Sequence, residues 1–207
     1  MKRSFAILAS AALAACAAAP VGERPTVTAA EIDHVTRVMK QDFHARGQAT
    51  MNRLDLDEVQ RTCNLYNDHP PEDLAKRLEE AQLKEIKFPS GSLIGNWQNG
   101  EKIAQNGRGS MWSDKPGVQP GGSCYNCHQI QPTKDAYGTI GPSLAGYGKS
   151  RGSSREMQRY TYGRIFNSKA YSLCSAMPRL GHAGSLNEQQ IKDLVGLLLD
   201  PASPVNQ

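Results

Sequence analysis

No stretch of this sequence stays apolar for the roughly 20 residues that a membrane-spanning helix needs. The apolar run from Phe5 to Leu13 is too short. A strong excess of one charge is missing as well. The formal charge is +4, and Lys2 and Arg3 lie in a segment laid out like a secretory leader, so the mature chain is nearer +2. So small a surplus leaves no electrostatic footprint for nucleic acid. Nor is there a second Cys/His pair at ligand spacing, which a tetrahedral zinc site requires, or the βαβ context of a thioredoxin-like CxxC.

What is present is Cys124-Tyr125-Asn126-Cys127-His128. Two thiols three residues apart can add across the two vinyl groups of one haem, and the histidine that follows is then held beneath the iron. The motif therefore predicts one covalent haem c, with Cys124 and Cys127 as its anchors and His128 as an axial ligand. A class I cytochrome c core fills about half of the 207 residues, so the remainder must be explained separately.

Met1 to Pro20 has a basic start, a short apolar run and a small-residue end, the layout of a signal peptide over residues 1–19. Leu13-Ala14-Ala15-Cys16 resembles a lipobox in which Cys16 is lipidated, while Ala12-Leu13-Ala14 is an equally acceptable cleavage site. Both readings export the chain, with periplasmic localisation expected and a membrane attachment only if Cys16 carries lipid. Of the five cysteines, the haem motif and the leader account for three and leave Cys63 and Cys174. Two leftover thiols in an oxidising compartment point to a disulfide. The competing reading makes Cys174 a sulfur-handling thiol, which needs a cationic surrounding to lower its pKa.

Residues 20–90 read as a helical N-terminal extension. Thr28 and Glu31 form a capping box for a helix from Pro25 to Gly47, with Gly47 as its stop and Ile32, Val35, Met39 and Phe43 on one face. His34 and His44 fall off that stripe and read as exposed. A second helix runs from about Asp55 to Leu65, and a charged one from Glu72 to Glu85 turns Leu74 and Leu78 inward. Their apolar faces are too thin for an independent core, so they are expected to pack on the haem domain or on a partner.

Residues 91–207 read as the haem domain. A helix from Asn96 to Asn106 carries Gly100 in its middle. The Gly- and Pro-rich loop from Gly107 to Ser123, with Trp112, reads as a binding loop or a cover for the haem edge. Arg155 to Phe166 is predicted helical, offering Met157, Tyr160, Ile165 and Phe166 to the haem pocket. Met177-Pro178 sits in a loop before the last helix, where a thioether can reach the iron, with His182 as the competing ligand. That last helix, Ser185 to Leu199, is expected to open on a capping box of Ser185 and Glu188.

These features together resemble class I cytochromes c, an all-α fold here preceded by the helical extension. The resemblance implies that Gly100 is where the first helix of the domain crosses the last. It also implies that the carbonyl of Pro142, in Ile140-Gly141-Pro142-Ser143-Leu144, accepts a hydrogen bond from His128. With the Met177-Pro178 loop and the ending Leu199-Asp200-Pro201-Ala202-Ser203-Pro204-Val205, the stretch from about Trp97 to Asn206 resembles the SoxX family, the cytochrome subunits of SoxAX complexes of bacterial sulfur oxidation.

That family implies a SoxA-like partner subunit carrying the catalytic haem, a thiosulfate carrier protein whose cysteine receives the sulfur, and a soluble cytochrome as electron acceptor. In this scheme the chain is the electron-accepting, non-catalytic subunit of an L-cysteine S-thiosulfotransferase, inactive alone. Two other classes fit the same core: a free periplasmic monohaem carrier, and a structural role with the haem incidental.

Overall fold

The computed structural model describes residues 27–134 and 136–207, so the leader and Cys16 lie outside the described residues. Among these the fold is all-α, with no strand and a single isolated antiparallel bridge between Arg46 and Ala49.

The C-terminal domain, residues 91–207, is built on a helix crossing. Helices α4 (Trp97–Gln105) and α7 (Glu188–Leu199) pack tightly, and the glycine in α4 explains how closely. A Cβ at Gly100 would stand 2.1 Å from the Asp193 carbonyl oxygen, and one at Gly196 would stand 2.4 Å from that of Gly95. Two missing side chains thus let the backbones touch, as expected for Gly100. Asp193 sits buried at the crossing, its carboxylate accepting from the Asn96 N–H and from Gln189 Nε2, both at 2.8 Å. A buried carboxylate so paired leaves little polar capacity unmet. Ile191, Leu194, Val195 and Leu198 of α7 are buried against Leu93, Ile130 and Tyr162, each contributing about 1.5–3 kcal/mol where fully covered.

The cap of α7 differs from the sequence expectation. Asn187 and Gln190 make the capping box, and the helix begins at Glu188. Ser185 lies before the helix, where the Leu186 N–H donates to the Leu180 carbonyl. After α7 the chain turns back. Asn206, buried, donates to the carbonyls of Leu198 and Asp200 and accepts from the N–H groups of Gly148 and Lys149. The Asp-Pro ending thereby ties the short helix α5 (Tyr147–Arg151) to the end of α7.

In the extension, α1 (Ala29–Asp42) keeps the Thr28–Glu31 capping box but stops well before Gly47. Gly47 instead turns the Arg46–Ala49 bridge at φ +54°, where a Cβ would meet the Trp112 carbonyl oxygen at 2.1 Å. On the expected apolar face only Ile32 is buried, while Val35, Met39 and Phe43 are exposed, as is His34. α2 (Glu58–Leu65) is capped by Asp57, and α3 (Glu72–Lys84) follows Pro71. Val59, Cys63, Leu78 and Leu173 form a second, small core, with Leu74 packed beside it. Packing runs on through residue 90, since Ile86 and Leu93 belong to one apolar cluster with α7. The extension thus docks on the C-terminal domain, as its thin apolar faces required. Cys63 and Cys174 form a disulfide across this junction, Cα to Cα 5.5 Å.

Candidate functional site

The CxxCH residues occupy a tight turn whose geometry is set by neighbouring backbone. Ser123 takes a left-handed conformation (φ 48°), and a 3-10 turn spans Cys124–Asn126. The Cys124 carbonyl then accepts from the His128 N–H at 2.9 Å. The segment from Gly138 to Leu144 runs alongside. N–H groups of Gly138, Gly141 and Leu144 donate to the carbonyls of Tyr125, Cys127 and Gln129, each at 2.8 Å.

This registry brings Gly141 against the imidazole. A Cβ there would lie 2.2 Å from His128 Cε1 and within 2.7 Å of both ring nitrogens. Only glycine leaves room for the ring at this point. His128 Nδ1 lies 2.7 Å from the Pro142 carbonyl oxygen. A carbonyl can only accept, so Nδ1 carries the proton and Nε2 keeps its lone pair free for a metal. The hydrogen bond expected from Pro142 is present.

A cavity of about 580 Å3 opens beside this turn, within the range of small-molecule and cofactor sites. Cys124, Cys127, His128 and Pro142 line it, and so does Met177 from the loop between α6 (Arg155–Phe166) and α7. Met177 is placed by its own loop, its carbonyl accepting from Ser168 Oγ at 2.6 Å and its N–H donating to Ser175 Oγ at 3.2 Å. His182 does not line the cavity. Its Nδ1 pairs with Glu85 Oε2 at 2.9 Å, so the competing ligand of the sequence reading is engaged elsewhere.

Tyr160 and Ile165 reach the cavity as expected of α6, but Met157 and Phe166 do not. Tyr147 OH contacts Met157 Sδ at 3.7 Å, and Phe166 stacks on Tyr162 with centroids 6.1 Å apart. Trp112 is not a cover for this cavity either. Arg46 lies 3.4 Å over its ring, and Gln48 Nε2 and Arg53 donate to the carbonyls of Met111 and Ser110 at 2.8 Å, so the 107–123 loop holds the extension. Within that loop the Met111 N–H, followed by that of Gly109 and by Arg108, holds the Asp114 carboxyl below the usual carboxylate range.

The sequence reading did not single out Arg151 and Arg164, which line the cavity from α5 and α6. Nothing in their local spacing marks them, because each sits on a short or weakly amphipathic helix and only the tertiary arrangement aims them. Among the described residues, Cys63, Cys174 and Asp68 cluster at metal-ligand distances, but both sulfurs are spent in the disulfide. The Cys174 thiol of the competing reading therefore does not exist in the folded chain.

The residues around the cavity fit a haem c. Two unbridged thiols and an imidazole stand on one turn, the glycine opposite the ring leaves it space, and two guanidinium groups suit the two carboxylates of a haem. Burial pushes the Cys124 thiol up to about 12, so as a free group it would stay protonated rather than act as a thiolate.

No protein-family model matches the sequence. Over 209 aligned residues, 98% of this chain and 97% of the other, it is 33% identical to a protein of Aquifex aeolicus (strain VF5) named an uncharacterized lipoprotein. The chain belongs to that protein's family. The similarity spans both the extension and the C-terminal domain, because the aligned region covers nearly the whole of each chain. Among solved structures, SoxXA from P. pantotrophus is similar over 57% of this chain and 95% of that one, with 26% identity and a TM-score of 0.40. No helix among the described residues is long and apolar enough to cross a membrane.

Proposed function

We propose that this chain is a periplasmic monohaem cytochrome c that accepts electrons as the non-catalytic subunit of a heterodimeric enzyme coupling thiosulfate to a carrier-protein cysteine. The observation that carries the haem reading is the convergence of Cys124, Cys127, His128 and Met177 on one cavity, with Pro142 fixing the imidazole. Cys124 and Cys127 would hold the haem covalently, and His128 Nε2 and Met177 Sδ would hold its iron. When bound, the group supplies one-electron redox chemistry.

The chain's own residues do the rest. The Pro142 carbonyl keeps a proton on Nδ1 and so fixes the ring's orientation. Arg151 and Arg164 offset the negative carboxylates that such a cofactor brings into the cavity. Ile140, 77% exposed at the cavity wall, gives an apolar edge of the kind an electron-transfer partner covers.

The subunit assignment is supported by the SoxX-like run from Cys124 to Val205. It is supported also by the chemistry left in the chain, since the only unbridged cysteines among the described residues are the two of the haem motif. A sulfur-transferring group would then come from a SoxA-like partner, and electrons would leave to a soluble cytochrome. The haem should stay with the polypeptide on acid-acetone extraction. Met177→Ala should abolish the sulfur-to-iron charge-transfer absorption of the oxidised protein and lower its potential. Alone, the chain should be reducible yet unable to couple thiosulfate to a thiol carrier, and activity should appear when the partner is added. Turnover by the isolated chain, or full activity of the partner without it, would overturn the assignment.

The relative's name, set beside Leu13-Ala14-Ala15-Cys16, supports lipidation of Cys16 and a tether to the membrane surface. Cells fed labelled palmitate should label this chain, and Cys16→Ala should remove the label. An unlabelled wild type would leave the Ala-x-Ala cleavage in its place.

A further inference from the structure

The extension touches the haem domain in a particular place. Met177 lies between two of its attachments: the Cys63–Cys174 disulfide three residues before it, and Arg179 two residues after. Arg179 NH2 pairs with Asp57, and its NH1 donates to Gln82 Oε1 at 3.2 Å. Asp57 and Cys63 belong to one element, Asp57 as the cap of α2 and Cys63 within it. α3 adds further ties. Glu79 Oε1 accepts from the Leu173 N–H at 2.8 Å, and Gln82 Oε1 accepts from Asn167 Nδ2 at 3.0 Å. Leu173, Asn167 and Gln82 are all buried.

The segment these ties grip has little regular structure of its own. Between α6 and α7 the chain forms only the short 3-10 turn Ser168–Ala170. Met177 is held internally by hydrogen bonds to Ser168 and Ser175, and Lys169 donates to the Ser175 carbonyl. Such a loop would otherwise sample many conformations, and a thioether is a weak ligand that competes poorly once its loop opens.

Resting on the reading of Met177 as an axial ligand, we propose that the N-terminal extension is a clamp on the Met177 loop, in which Cys63, Asp57 and Gln82 are positioning residues that keep competing ligands off the distal face of the iron. The apparent affinity for an outside ligand scales with the fraction of molecules whose loop is open. Loss of the clamp therefore reads out as tighter binding of that ligand.

The test titrates the oxidised, haem-loaded full chain with imidazole while following the sulfur-to-iron charge-transfer absorption. In the double variant Cys63→Ala/Cys174→Ala the apparent dissociation constant should fall about tenfold or more. Asp57→Asn should lower it about threefold, and this variant keeps α2 capped because asparagine caps as well as aspartate. Arg46→Ala loosens the extension at Trp112, away from the clamp, and should leave the constant unchanged. Should the double variant fail to fold, Asp57→Asn decides. Wild-type imidazole affinity in the folded clamp variants, or an equal gain in Arg46→Ala, would overturn the clamp while the absorption band stands. A wild type lacking that band would instead remove the axial-methionine reading, and the clamp with it.

Discussion

Converting both Cys63 and Cys174 to alanine is expected to lower the free energy of unfolding by about 4 to 5 kcal/mol. The two residues are 111 positions apart, so the cross-link removes a large share of the unfolded chain's freedom. The figure is an upper one in the chain-entropy account, because an unfolded state with residual structure has less entropy to lose. Against the 5–15 kcal/mol that holds most domains folded, such a loss is large. Denaturant unfolding of the haem-loaded protein measures it, with the midpoint falling and the slope rising, because the unfolded chain without the cross-link is less compact and exposes more surface. A change under about 1 kcal/mol would mean that the small core of Val59, Leu78 and Leu173 and the polar ties around it hold the extension without the covalent bond.

Gly141→Ala is expected to cost the protein its haem. The added methyl would sit 2.2 Å from His128 Cε1, far inside contact distance, and neither side can give way cheaply. The glycine's N–H is bound to the Cys127 carbonyl and the imidazole is bound to the Pro142 carbonyl, so moving either breaks the arrangement that aims Nε2. Purified variant should carry less than about a tenth of the wild-type haem per chain, with the residue of it high-spin, because a displacement near 1 Å suffices to spoil a ligand's geometry. Wild-type haem content and spectrum in Gly141→Ala would show that His128 does not need this glycine. Gly138→Ala makes a useful comparison: its Cβ would meet the Asn126 carbonyl oxygen at 1.8 Å, disturbing the turn without touching the ring.

Several elements were legible before any coordinates. Thr28 and Glu31 cap α1, α6 spans Arg155–Phe166 as its spacing predicted, and Gly100 lies at the helix crossing. Each of these depends on residues a few positions apart or on a side chain that is missing. Elsewhere the same local logic misled. Ser185 and Glu188 have capping-box spacing, yet Asn187 and Gln190, with the same spacing two residues on, make the box. Ile32, Val35 and Met39 do share a stripe on α1, with Phe43 just past its end, but only Ile32 finds a neighbour that covers it. Periodicity names a face and not what lies against it.

The residues of the candidate site were therefore readable in the sequence, while their supports were not. Cys124, Cys127, His128 and Pro142 are close in the chain or carried by recognisable turns, and thiol and imidazole chemistry follows from residue type alone. Met177 was preferred to His182 from its Met-Pro loop before the last helix, and in the fold Met177 lines the cavity while His182 pairs with Glu85. Only the fold, by contrast, brings Arg151 and Arg164 to the cavity, Asp57 to Arg179 across 122 positions and Gln82 to Asn167 across 85. Partners so distant leave no spacing to read. They meet only because two helices with thin apolar faces must bury them somewhere, and the methionine loop is the surface the rest of the fold leaves for them.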